Sequence, residues 1–234
     1  MRQPPLCAGF SDPDLAEIVR FGLTSLRSSA AIFFWVEGPL GMADVELEGM
    51  PLQFFKRYAA GMVRFDPQHV DKMAVGKQKV AQLAPDRRAP TAENRLYADF
   101  LGDYGFVDVI DLLFWHEGAA VAGLGLLKRP SDPPVSQTEI ETAFALQRFV
   151  EHTLRHHSRI VRQRQRRALA QDFQLTGREA DVAELTAQGL TNAEIADRLE
   201  ISLPTVKTHL LRILAKTGSA NRTRLTAMLG QNLM

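Results

Sequence analysis

The side chains best suited to recognising another molecule lie between Pro204 and Lys216. Val206, Leu210 and Ile213 recur at intervals of four and three. If they face a core, a rotation of about 100° per residue turns Pro204, Thr208, Leu211 and Ala215 outward, with Lys207 and Arg212 on the flanks. Small residues on that face permit close approach to a groove. Lys207 and Thr208 would reach base edges or phosphates, and Leu211 offers apolar contact to thymine methyl groups. Thr205, Arg212 and Lys216 suit phosphate oxygens, contacts that position a helix without reading sequence. His209, between the two faces, is expected to have a structural, hydrogen-bonding role.

A helix can present such a face only if its neighbours hold it. Thr176-x-x-Glu179 and Thr191-x-x-Glu194 are capping-box patterns, in which hydroxyl and carboxylate satisfy backbone donors at a helix start. Ser202 is the expected N-cap of a third helix, and Gly189 the stop of the first. Helices over Asn192–Glu200 and Leu203–Thr217, joined by a few residues, make a helix-turn-helix spanning Thr191 to Leu210. Leu175, Val182, Ile195, Val206, Ile213 and Leu225 supply a small four-helix core.

Charge points the same way. The chain has 234 residues and a formal net charge of +1, yet no acidic residue follows Glu200. Lys207, Arg212, Lys216, Arg222 and Arg224 all fall there. A second basic run, Arg155, Arg159, Arg162, Arg164, Arg166 and Arg167, lies upstream. A basic module on a near-neutral chain is the electrostatic footprint of phosphate binding, although a solvated helix face has the same composition.

The segment resembles the C-terminal DNA-binding domain of LuxR-type transcriptional regulators. The resemblance is carried by Leu175 to Glu179, Gly189 to Ala196, Ser202 to His209 and Lys216 to Gly218, over some 55 residues. Thr217 departs from the leucine common in the family, and Leu211 from a position often polar. The resemblance implies double-stranded DNA as partner, a homodimer with a contact from Asn221–Leu229, RNA polymerase as a further partner, and no cofactor.

Upstream, Asp14–Arg27 reads as a helix, Ala30–Val36 as a buried strand, Gly38 to Gly41 as a turn, Asp44–Met50 as a strand and Leu52–Met62 as a helix ending before Asp66-Pro67. Lys79–Leu83 reads as a short strand, Pro85 to Pro90 as a loop and Thr91–Tyr104 as a helix. Two strands follow, Phe106–His116 and Ala120–Lys128, joined at Glu117-Gly118. One long helical pattern runs from Ser136 to about Ala170, its first half packing on the sheet and its second emerging as a linker. The expected class is α+β: an α/β sensory and dimerisation domain over residues 1–135, a connecting helix and basic linker over 136–171, and an all-α helix-turn-helix domain over 172–234.

The upstream region also resembles the sensory domains of the same regulators, which are related to GAF and PAS folds and in one subgroup bind acyl-homoserine lactones. Phe54-x-x-x-Tyr58 followed by Asp66-Pro67 carries this resemblance. Phe54 stands in place of the usual tryptophan, and no tryptophan follows Asp66-Pro67 at the family's interval. The resemblance implies a small-molecule signal, with Tyr58 donating to a ligand carbonyl and Asp66 accepting from a ligand amide. Core packing of Phe54 and Tyr58 is the competing reading. Trp35 and Trp115 are further pocket candidates, each within an expected strand.

Other classes fit poorly. No apolar run approaches a membrane span, and the N-terminus lacks the apolar core of a signal peptide, so a cytoplasmic location is expected. The single cysteine, Cys7, excludes an internal disulfide. No nucleophile elbow, phosphate loop or His-Glu-x-x-His motif suggests an enzyme. His152, His156 and His157 lack cysteine companions and lie among arginines, so no metal site is expected. In place of a receiver domain's acidic pair, Glu37-Gly38-Pro39 follows the first strand, and Asp66 follows a helical pattern and not the later strand that precedes a phosphoacceptor, so a phosphorylation-controlled response regulator is the remoter alternative. A regulator whose N-terminal domain binds a protein and no small ligand remains the alternative.

Overall fold

The computed structural model describes residues 12–37, 41–83 and 92–232. The expected turn at Gly38 to Gly41, the loop from Pro85 to Pro90 and Cys7 fall wholly or mostly outside them. The chain divides into two compact units, one ending at Arg155 and the other beginning at His156.

In the first unit, α1 (Pro13–Ser25) leads into β1 (Ala30–Glu37) and β2 (Gly41–Glu48). These are followed by α2 (Leu52–Gly61), a 3-10 turn (Met62–Phe65), α3 (Val70–Val75) and β3 (Val80–Gln82). Then come α4 (Ala92–Asp103), β4 (Asp108–His116), β5 (Ala119–Lys128) and α5 (Gln137–Leu154). The five strands form one sheet in the order β2-β1-β5-β4-β3. Every pairing is antiparallel, unlike the parallel doubly wound sheet of a receiver domain.

Strand β1, between β2 and β5, is buried at seven consecutive positions because both faces are covered. Ala30, Ile32, Phe34 and Val36 face a core shared with α2, α3 and α4, while α1 packs against the sheet and α5. Residues of alternating direction must then all be apolar, which is why Ala30–Val36 reads as a continuous run. The β4–β5 hairpin closes through Glu117 and Gly118, both at positive φ (49° and 79°). Such a two-residue turn matches the strand twist and favours glycine at its second position. Strand β2 begins three residues earlier than its polar alternation indicates; a bulge places Asp44 at φ 43°.

Two buried ionic groups in this unit, Lys128 and Glu151, are tied to backbone. The Lys128 ammonium, 2% exposed, donates to the carbonyls of Leu26 (2.8 Å) and Pro133 (3.0 Å) and to Glu139 Oε1 (2.9 Å). Glu139 is also the third residue of the Ser136 capping box at the start of α5. Further along α5, Glu151 accepts from Trp115 N (3.0 Å), just past the β4 bulge, and from Lys79 Nζ (2.9 Å).

The single long helix expected from Ser136 onward is two helices: α5 stops at Leu154, and α6 runs over Ser158–Asp172. Leu154 is buried in the first unit and Ile160 in the second. His157 restarts the helix, its Nδ1 accepting from Arg159 N at 3.2 Å.

The second unit adds α7 (Gly177–Ala187), α8 (Asn192–Leu199), α9 (Leu203–Thr217) and α10 (Arg222–Asn232). Leu175, Val182, Ile195, Val206, Ile213, Leu225 and Leu229 form its core. No helix among the described residues is long and apolar enough to cross a membrane.

Candidate nucleic-acid interface and ligand cavity

Local chemistry sets each helix start in the second unit. Thr176 and Thr191 both complete capping boxes with Glu179 and Glu194, and Ser202 Oγ accepts from Thr205 N. Gly189 turns the chain after α7 at φ 87°, letting Leu190 N return to Leu185 O at 3.1 Å, a helix stop that suits glycine. Only Glu200, in the left-handed region at φ 53°, Ile201 and Ser202 separate α8 from α9. Arg222 bonds Asn192 Oδ1 and Leu190 O, clamping the segment before α8.

On α9, Val206, Leu210 and Ile213 are buried, and Lys207, Thr208, Leu211 and Arg212 are exposed. Leu211 is 69% exposed, the most open large apolar side chain of the helix. Thr205 is half-buried, its hydroxyl 2.7 Å from Ser202 Oγ, and the Thr208 hydroxyl donates to Pro204 O.

Two residues depart from expectation. Lys216 is turned into its own domain, donating to Glu179 Oε2 at 2.6 Å and Gln174 O at 2.9 Å. That bond, with the Thr176 backbone donor, holds the buried Glu179 carboxyl at a pKa of about 2. Lys216 thus braces Glu179 while the residue itself stays exposed. His209 Nδ1 is buried without a hydrogen-bond partner among the described residues, so the hydrogen bonding expected of it is absent at that atom.

In the first unit, the core between the sheet and α2–α4 contains a cavity that, with its mouth, encloses about 550 Å³ of atom-free space. Phe34, Phe54, Tyr58, Val70, Met73 and Tyr97 contribute apolar wall; Asp66, Gln68, His69 and Asp111 contribute polar atoms. The Asp-Pro step keeps Asp66 extended, at φ −66° and ψ 115°. Tyr58 donates to its Oδ2 at 2.7 Å, and Gln68 N to its Oδ1 at 2.8 Å. Burial raises the Asp66 pKa, and these two donors only partly offset it. Asp111 is pushed well above the ordinary carboxylate range by burial and by the charge of Asp66. Burial, then Asp66, keeps Tyr58 and Tyr97 protonated far above neutrality.

The residues implicated by sequence separate into two groups. Phe54, Tyr58 and Asp66 line one cavity. Phe54 is also packed into an aromatic cluster, 4.9 Å from Phe100 and 5.2 Å from Tyr104, so both readings of it hold. Trp35 and Trp115 do not line the cavity. Trp35 points to the opposite sheet face, edge-on to Phe33 at 5.5 Å. Trp115 packs on the core margin beside the β4 bulge. Strand alternation turns Trp35 away, while the irregularity between Phe114 and Trp115 sets Trp115 at the margin of the cavity-side core.

Residues 174–229 match the luxR family of bacterial regulatory proteins. They are a LuxR-family helix-turn-helix domain. Over 203 residues, 85% of this chain and 82% of its relative, the chain is 28% identical to the monoamine regulon transcriptional regulator of Klebsiella aerogenes. A stretch of 74 residues, 31% of this chain and 38% of the other, is 40% identical to the C4-dicarboxylate transport transcriptional regulatory protein DctR of Rhodobacter capsulatus. Among solved structures, Escherichia coli SdiA aligns with a TM-score of 0.47 at 16% identity, covering 97% of this chain and 94% of that one. SdiA in complex with octanoyl-rac-glycerol aligns with a TM-score of 0.46 at 18% identity, covering 91% and 86%.

Among the cavity residues of the first unit, the sequence reading missed Gln68, Tyr97 and Asp111. Asp111 carried a signal: it is the one charge within the apolar run Val109–Phe114, on the strand face that Val109 and Leu113 bury. Gln68 and Tyr97 had none, since their meeting with Asp66 depends on how α3 and α4 cross the sheet.

Proposed function

We propose that this regulator binds specific double-stranded DNA as a homodimer and responds to a small molecule held in the N-terminal cavity. The observation that carries the DNA reading is the split face of α9, with Val206, Leu210 and Ile213 buried and Lys207, Thr208, Leu211 and Arg212 open to solvent. Lys207, Thr208 and Leu211 are assigned to base edges, and Thr205 and Arg212 to phosphates. Dimerisation is supported by an aromatic patch on α1 and α5: Phe21 and Phe149 meet edge-on at 6.1 Å while 53% and 59% exposed. Open apolar patches of this kind mark association surfaces.

Selection of bound duplexes from a random library with the full chain tests the reading. An inverted repeat with half-sites about one helical turn apart is expected. Recovery of no enriched sequence removes specific DNA binding; recovery of a single half-site removes the dimer. Signal binding is read separately, as a small-molecule-dependent rise in melting temperature, because a ligand held only by the folded state stabilises it.

A further inference from the structure

The polar atoms of the cavity are unbalanced in one direction. Two carboxyls, Asp66 and Asp111, face a space otherwise walled by apolar and aromatic side chains. Asp66 has donors in Tyr58 and Gln68 N, and Tyr97 also bonds its side chain. Lys72 Nζ donates to the main-chain oxygens of Asp66 and Arg64, and His69 Nδ1 lies 2.7 Å from Asp71; neither contact reaches the carboxyl of Asp66 or Asp111. No described residue donates a hydrogen bond to Asp111. Among the described residues, the charge that acts on it is the like charge of Asp66.

A second observation is independent of the acids. Gln68 is only 8% exposed and lines the same space, and neither Oε1 nor Nε2 of its amide has a partner among the described residues. A buried amide with both ends idle is costly, and a ligand carrying a donor would relieve it. The floor is shaped to keep Asp111 where it is. On β5, a Cβ at Gly125 would lie 2.8 Å from Asp111 Oδ1 and 2.9 Å from Ile32 Cγ2; one at Gly123 would lie 2.2 Å from the Phe34 ring. Both glycines leave room for neighbours to fold over the strand.

We propose that the cavity binds a small organic cation, an amine on a flat apolar body, with the ammonium on Asp111 and Asp66 and the Gln68 amide as a further polar contact. This rests on the reading of the cavity as the signal site and names the chemical class of the signal. An ammonium brings several donors and a positive charge, which answers both carboxyls at once. The faces of Phe34, Tyr58 and Tyr97 add cation–π attraction in a dry site. A neutral secondary amide donates a single N–H, a lactone ring none, and neither brings a positive charge to the two carboxyls. An anionic ligand is repelled.

The test is calorimetric titration and thermal shift on the full chain with four probes: phenethylamine, its neutral isostere 2-phenylethanol, 3-phenylpropionate and N-octanoyl-homoserine lactone. Phenethylamine is expected to bind at least about tenfold tighter than 2-phenylethanol, the scale of one charge-assisted contact. 3-Phenylpropionate is expected not to bind. Asp111→Asn is expected to lose that preference while its affinity for the alcohol is kept. If the alcohol or the lactone binds as tightly as the amine, or if Asp111→Asn retains the preference, the amine proposal falls and the signal site stands. Silence of all four probes to millimolar concentration overturns both. Should the variant not fold, the ratio of amine to alcohol on the unaltered chain decides alone.

Discussion

Buried carboxylates are treated in opposite ways in the two units. At the start of α7, Glu179 has Thr176 N, Thr176 Oγ and Lys216 Nζ around it, and its pKa falls to about 2. In the N-terminal cavity, Asp66 and Asp111 have too few donors, and both pKa values rise. The first arrangement is complete within one chain, as a rigid DNA-presenting module requires. The second is left short of positive charge, which is how a site looks when its missing partner is a ligand.

The largest expected effect follows from removing a partner on the complete side. Lys216→Met removes the charged partner of Glu179 and leaves it the Thr176 donors, and the C-terminal unit is expected to lose about 1.5–3 kcal/mol in denaturant unfolding. A loss near zero would show that Glu179 is solvated and that the contrast is weaker than drawn. Acid acts on the same bond. Because the folded pKa of Glu179 lies at about 2, below its ordinary value of 4.5, its contribution is intact above pH 4.5 and is lost as pH falls from there toward 2. Comparing the unfolding of wild type and Glu179→Gln across that range isolates the term; parallel curves would contradict it.

A smaller effect is expected at the DNA face. Lys207→Ala should weaken operator binding roughly five- to tenfold at matched salt, with the melting temperature unchanged. Unchanged affinity would remove Lys207 from the interface. The smallest and most diagnostic change is Asp111→Asn without ligand. A carboxyl whose folded pKa is raised costs stability at neutral pH, and the cost shrinks as pH falls through that raised value. The variant is therefore expected to melt a few degrees higher than wild type at pH 7, with the gap closing in acid. A lower melting temperature at pH 7 would mean that Asp111 has found a donor, and the contrast between the units would collapse.

The second unit was legible because its signals are local. A capping box spans four residues, Gly189 ends its helix by its own φ, and the spacing of Val206, Leu210 and Ile213 fixes which face of α9 is open. The break between α5 and α6 was not legible, because the arginine-rich run is a good helix former and carries no proline or glycine to mark a stop. Lys216 has the composition of a phosphate ligand, and nothing nearby in sequence predicts that Glu179, 37 residues away, takes it.

By itself, the sequence determined the helix-turn-helix, its caps, its outward residues and the alternating layers of the upstream unit, since these follow from periodicity and from short-range hydrogen bonds. Only the tertiary structure decided which polar residues share the cavity. Tyr58 on α2, Asp66 after the 3-10 turn, Gln68 before α3 and Asp111 on β4 come together through the packing of separate elements on one sheet face. Their shared environment, and so their pKa values, exists only once water has been excluded from between them.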